Sequence, residues 1–169
     1  KKNTPGTLKA YAEYVRRSEN PLPLLVADLG EQPAEAILRE IGEPRLRGML
    51  RLAGYIPNSD LPAIYNRASA FLYTSLRESF GIPQLEAMAC GTPVVTSATS
   101  AIPEVAGPGA ILVDPTSPKA IADALLRLET DAAFRARQVA YGLERVKRFS
   151  WEKTARHLLA LYESLGKTN

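Results

Sequence analysis

Two carboxylates, Glu78 and Glu86, frame the run E-S-F-G-I-P-Q-L-E, with seven residues between them. An ionised carboxylate only accepts hydrogen bonds, and its two oxygens suit the vicinal hydroxyls of a ribose or another sugar ring. Between the two acids, Gly81 lets the backbone come close to a ligand. Ile82 and Pro83 then open a helix whose free amides point back at the loop. Those amides and the helix dipole favour an anion such as a phosphate. A carboxylate beside an anion site repels phosphate unless it faces a different part of the ligand. The pair therefore suggests a ligand with phosphates in the middle and hydroxylated rings at both ends. Each acid also has a plainer use. Glu86, among Leu85, Ala87, Met88, Ala89 and Cys90 in a helix expected to be packed on most sides, can simply complement the helix N-terminus. Glu78 can be a surface acid paired with Arg77. No G-x-x-x-x-G-K-S/T run is present, which excludes a P-loop.

The elements that must position these residues follow from periodicity. Leu8, Tyr11, Ala12 and Val15 have helical spacing, and Asn20-Pro21 ends that pattern before the short apolar run Leu22 to Ala27. A helix over Pro33 to Ile41 and a strand over Met49 to Ile56 follow, and Asp60 can cap a helix over Leu61 to Ala68. Ala70 to Tyr73 reads as a strand, Pro83 as the first turn of a helix that Gly91 closes, and Pro93 to Thr96 as a buried strand. After a short strand at Ile111 to Val113, Ser117-Pro118 starts a helix with Ile121, Leu125 and Leu128 on a stripe. Asp131 to Arg148 continues as helix. Ser150 caps a last one with Trp151, Ala155, Leu158 and Tyr162 on one face. Short apolar strands alternating with amphipathic helices predict an α/β fold, a doubly wound parallel sheet with helices on both faces. Ligands in that class sit at the carboxyl ends of strands, where the loop Thr74 to Gly81 lies.

The 169 residues suffice for one domain: residues 1–149 form its Rossmann-like body and 150–169 a C-terminal helix of the same domain. Hydrophobic residues are 46% and charged residues 23%, ordinary for a globular protein, so neither disorder nor a disulfide scaffold is indicated. The net charge of +3 comes from scattered Lys and Arg, which argues against a nucleic-acid partner. The single cysteine, Cys90, cannot form an internal disulfide, and with no apolar leader or membrane-length run the expected setting is cytoplasmic. The start at Lys1, without methionine, suggests a piece of a longer protein.

The segment E-S-F-G-I-P-Q-L-E-A-M-A-C-G-T-P-V-V resembles the E-x7-E motif of the family 4 retaining glycosyltransferases. The likeness extends to Gly54-Tyr55-Ile56-Pro57 before Asp60-Leu61-Pro62, to Ile102-Pro103-Glu104-Val105, and to Phe149-Ser150-Trp151 with Tyr162. Nearly the whole chain resembles the C-terminal, nucleotide-sugar-binding domain of that family, one of the two Rossmann-like halves of the GT-B fold. The resemblance implies transfer of a hexosyl group, with retained configuration, from a UDP- or GDP-linked sugar to an acceptor, without a cofactor or an essential metal. It implies that Glu78 contacts hydroxyls of the donor sugar as the catalytic residue, and that Ser79, Phe80, Gly81 and Ile82 lend backbone amides to sugar and phosphate. Glu86 would hold the ribose, Lys2 the diphosphate, and Tyr55 and Ile56 the base.

The family's first strand and the arginine after it would precede Lys1, as would the N-terminal, acceptor-binding domain. The loss of that strand should expose sheet edges. The piece alone is expected to transfer little sugar, and no membrane contact is evident in it. Two other readings share these residues: a non-catalytic nucleotide-sugar-binding or interaction module, and another GT-B enzyme such as a nucleotide-sugar epimerase or phosphorylase. His157 lies off the final apolar stripe and is expected in solvent. Asp28, ending a strand, reads as a turn residue. Cys90 reads as a small core filler, and the Arg and Lys of 127 to 148 as a solvated helix face.

Overall fold

The computed structural model describes residues 1–166, so the last three positions of the predicted C-terminal helix lie outside the described residues. The chain runs α1 (Thr4–Arg17), β1 (Leu24–Ala27), α2 (Glu31–Ile41), α3 (Arg45–Met49), β2 (Leu50–Gly54), α4 (Leu61–Arg67) and β3 (Phe71–Tyr73). It continues with α5 (Ile82–Ala89), β4 (Val94–Ser97), α6 (Ile102–Ala106), β5 (Ala110–Val113), α7 (Pro118–Thr130), α8 (Ala132–Val146) and α9 (Trp151–Gly166). Every strand pairing is parallel, as the alternation of strand and helix requires.

The helix ends follow local chemistry. Ser117 Oγ accepts from the Ala120 amide at 3.2 Å, with Pro118 in the first turn where no amide hydrogen is needed. Asp131 does the same for α8, accepting from the Phe134 amide at 2.8 Å. Gly91 ends α5 as expected: its φ of 73° is a left-handed conformation that a side chain disfavours, and its amide donates to Met88 O at 3.0 Å. Asp60 departs from expectation. It occupies the position before α4, but its carboxylate accepts from Ser59 Oγ at 3.0 Å instead of from the helix amides, because its own backbone is already helical.

The sheet is in two pieces among the described residues. β1 pairs with β2, and β3-β4-β5 form a second sheet with β4 in the middle. Among the described residues β1, β2, β3 and β5 each pair on one side only. The first residue lies along the exit of β3, where the Leu76 amide donates to the Lys1 carbonyl at 2.9 Å. All four residues of β4 are buried, the signature of a parallel strand covered on both faces. One core layer joins Val95 and Val113 to Ile121, Leu128 and Phe134; another joins Met88, Val94, Ile102 and Ala110 beneath α5 and α6. A third, of Leu8, Tyr11, Val15, Leu46 and Leu50, fixes α1 against β2 and α7.

Two expectations about the C-terminal helices change. The apolar face of α9 is not buried: Trp151, Leu158 and Tyr162 are all exposed, since no described element covers them. His157 is exposed on the same helix. The basic residues of α7 and α8 are not all a solvated face. Arg127 lies 3.7 Å over the Phe134 ring, Arg135 Nε donates to Leu128 O at 2.9 Å, and Arg145 Nε donates to Val105 O at 2.8 Å. Among the described residues no helix is long and apolar enough to cross a membrane.

Candidate functional site

The loop between β3 and α5 holds the predicted site, and its shape is set by β4. Backbone pairing of β3 with β4 stops at Tyr73 and Thr96. Beyond that point hydroxyls take over. Thr96 Oγ1 donates to Tyr73 O at 2.8 Å, and Ser97 Oγ donates to Ser75 O at 2.6 Å. These bonds carry the pairing of the two segments past the end of β3. At the end of the loop, Glu78 lines a cavity of about 530 Å³ together with Lys1, Arg77, Ser79 and Ser100. Two cations and one carboxylate around one opening suit a ligand carrying both anionic and hydroxylated groups. No ion pair joins Arg77 to Glu78 among the described residues, so the plainer use of Glu78 as a paired surface acid is not what the structure shows.

Gly81 sits just before α5 at φ 87°, and a Cβ there would lie 2.9 Å from Gln84 Nε2. Both facts make a larger residue costly there. Gln84 is fully buried and donates to Phe80 O at 3.4 Å, tying the helix to its own loop. The Phe80 ring packs edge-on against Phe149, with centroids 5.8 Å apart, and Arg145 stands over the other ring of that pair at 5.1 Å. Ile82, 45% exposed, opens the helix at the rim.

Glu86 differs from its expectation. It is exposed, not packed on most sides. Successive helical residues are rotated about 100° apart, so Gln84, Ala87 and Met88 can be buried while Glu86 faces out. Its partner is Tyr65, whose hydroxyl donates to Glu86 Oε2 at 3.4 Å. Tyr65 meets Phe71 edge-on at 5.2 Å, and Phe71 stacks on Tyr73 at 5.8 Å. Tyr73 in turn is near enough to Glu78 for that carboxylate to act on its phenol. A column of three rings thus runs from one glutamate to the other. Burial, and then the acceptor Glu78, push the Tyr73 phenol up to about 12. Burial, followed by the charge of Glu86, raises Tyr65 as well. Burial keeps both phenols neutral, and that of Tyr65 donates to Glu86.

Of the other predicted residues, Lys2 is exposed and does not line the cavity; Lys1 does. Tyr55, 79% exposed, and the partly buried Ile56 stand at the exit of β2, away from the cavity-lining set. Asp28, set aside as a turn residue, takes a left-handed φ of 54° at the exit of β1, and its amide donates to Gly54 O at 2.9 Å. Sequence reasoning did not find Tyr65, Tyr73, Ser100 or Lys1. Tyr73 ends the strand just before the motif, a position that draws attention to it, whereas Tyr65 lies in α4, well before it.

The chain as a whole is similar to known proteins. The family model described as "Glycosyl transferases group 1" matches residues 1–145. The O-antigen chain mannosyltransferase B of Escherichia coli is 34% identical over 165 residues, 98% of this chain and 43% of that protein. A D-inositol 3-phosphate glycosyltransferase of Corynebacterium urealyticum is 37% identical over 133 residues, 78% of this chain and 31% of that protein. Among solved structures, a sucrose-phosphate synthase from Thermosynechococcus elongatus superposes with a TM-score of 0.80 at 28% identity, over 99% of this chain and 43% of that one. The chain therefore spans less than half the length of each of these three proteins. With the motif region, the strand order and most of its residues inside the family model, the chain belongs to the group 1 glycosyl transferases and has the α/β fold of the C-terminal half of GT-B.

Proposed function

We propose that this chain is the donor half of a hexosyltransferase that binds a nucleotide-diphosphate sugar and transfers the sugar with retained configuration. The observation that carries this reading is the placement of Glu78 and Glu86 at the two ends of one aromatic column, beside the start of α5. Glu78, at the cavity with Lys1 and Arg77, is suited to sugar hydroxyls beside a diphosphate. Glu86, exposed and with only a long hydrogen bond from Tyr65, has acceptor capacity left for a ribose. The amides at Gly81 and Ile82, with the two cations, would stabilise charge on the departing diphosphate. In this reading Lys2 would meet the diphosphate and Tyr55 and Ile56 the base, outside the cavity that Glu78 lines.

Acceptor binding and closure over the donor fall, in this reading, to a further domain of a longer protein, and the piece alone transfers little sugar. The name of the Escherichia coli relative, a mannosyltransferase, makes a mannosyl donor the first to try, with GDP-mannose and UDP-glucose as the two probes.

The test is calorimetric titration with GDP-mannose, UDP-glucose, GDP and UDP, on the native chain and on Glu86→Ala. One nucleotide series should bind, and the variant should weaken it about ten- to hundredfold, the usual cost of losing hydrogen bonds to a charged group. Equal affinity in the variant contradicts the assignment of Glu86. Absence of binding to a folded sample contradicts donor binding by this chain.

A further inference from the structure

Among the described residues, only Asn3, Asp28 and Ser100 are non-glycine residues with positive φ, and two of them follow strands directly or within a few residues on the cavity side of the sheets. Ser100, at φ 52°, adopts a backbone that glycine would take without strain. What a glycine would lose there is the hydroxyl. Ser100 Oγ accepts from the Glu78 amide at 2.9 Å, and the next residue, Ala101, donates its amide to the Glu78 carbonyl at 3.4 Å. Both backbone polar groups of Glu78 are therefore held by two consecutive residues from the loop after β4. They finish the series begun by Thr96 and Ser97, with Thr99 Oγ1 donating to Leu76 O at 3.4 Å between them.

We propose that Ser100 is a positioning residue, whose strained backbone is retained because it turns the hydroxyl onto the Glu78 amide and so fixes the Glu78 carboxylate at the sugar end of the cavity. The proposal rests on the reading of Glu78 as a contact to the donor sugar. Strain kept at a ligand site when a relaxed residue is available is the pattern expected where geometry outweighs local stability. Ser100 also lines the cavity itself, so any motion of its backbone changes the opening that Glu78 faces.

Ser100→Gly separates positioning from stability, because it relieves the strain while removing the acceptor. In the native chain and in this variant, NMR exchange rates of the Glu78 amide and thermal melting are measured together. The amide should exchange about tenfold faster in Ser100→Gly, as expected for loss of one hydrogen bond, while the melting temperature does not fall. Ser100→Asn, which tolerates the left-handed region and carries a side-chain acceptor, should restore slow exchange. An unchanged Glu78 rate in Ser100→Gly, or faster exchange there only in step with the β4 amides, overturns the proposal. With the nucleotide sugar that the native chain binds, Ser100→Gly should lose affinity severalfold while affinity for the bare nucleoside diphosphate is kept; equal loss of both also overturns it. Failure of the native chain to bind any nucleotide sugar would instead remove the donor reading, and the exchange comparison, which needs no ligand, still decides the role of Ser100.

Discussion

The two sheets are built from similar apolar strands and parallel pairings, yet they hold their exits differently. In the three-stranded sheet, β4 is buried from end to end and its last residues reach across to fix the loop after β3. In the two-stranded sheet, β1 alternates between partly buried and exposed positions, Leu25 is 46% exposed, and β2 leads to a Tyr55 that is 79% exposed. A strand covered on both faces can impose order on the loop that follows. A half-covered one leaves its exit loop to solvent. The sugar and phosphate end of the proposed site is accordingly the constructed end, and the base end at Tyr55 and Ile56 is open.

The largest effect that would sharpen this contrast is in stability. Met88→Ala, beneath the three-stranded sheet and almost wholly buried, should destabilise by about 2 to 5 kcal/mol in urea unfolding, while Leu25→Ala should cost under about 1 kcal/mol. Comparable losses at the two positions would break the comparison. Next in size is Gly81→Ala, which forces a side chain into a left-handed backbone and against Gln84. It should cost about 1 to 2 kcal/mol and weaken nucleotide-sugar binding more than thermal stability suggests, read by melting and calorimetry on the same samples. A neutral result would mean that the loop relaxes freely and is not the ordered end.

The smallest effect concerns alkaline pH. Tyr73 has a folded value of about 12 against an ordinary 10.0, raised first by burial and then by Glu78. A value raised in the fold means that the folded state keeps its proton longer. The associated stability is therefore complete below about pH 10 and is lost as pH rises through about 12. Tyr73→Phe should flatten the fall in stability between those limits, measured by denaturation at pH 8 and pH 11. An unchanged slope would show that the aromatic column does not place Tyr73 against Glu78.

Much of this was legible from local chemistry. The alternation of strand and helix, the Ser117 cap, the glycine turn at Gly81 and the two glutamates all declare themselves within a few residues. Bonds between distant segments do not. Ser100 and Glu78 are joined across 22 positions, and Thr96 and Tyr73 across 23, so no periodicity reports them. The exposure of Glu86 was hidden for another reason: apolar neighbours in sequence are not neighbours on a helix face. The five-residue α6 at Ile102–Ala106 is too short to leave a helical pattern, and it is held instead by Arg145 bonding to the Glu104 and Val105 carbonyls. The apolar stripe of α9 was readable as a pattern, but a pattern does not say what covers it.

The central claim, that the ends of the aromatic column around α5 form the donor site, is tested most directly by NMR titration of the native chain with GDP-mannose and UDP-glucose. The account predicts amide shifts at Glu78, Ser79, Gly81, Ile82, Glu86 and Ser100, with the α2 and α3 surface around Glu35, Arg39 and Arg47 unmoved. Shifts confined to that second surface, with the loop after β3 silent, would contradict it.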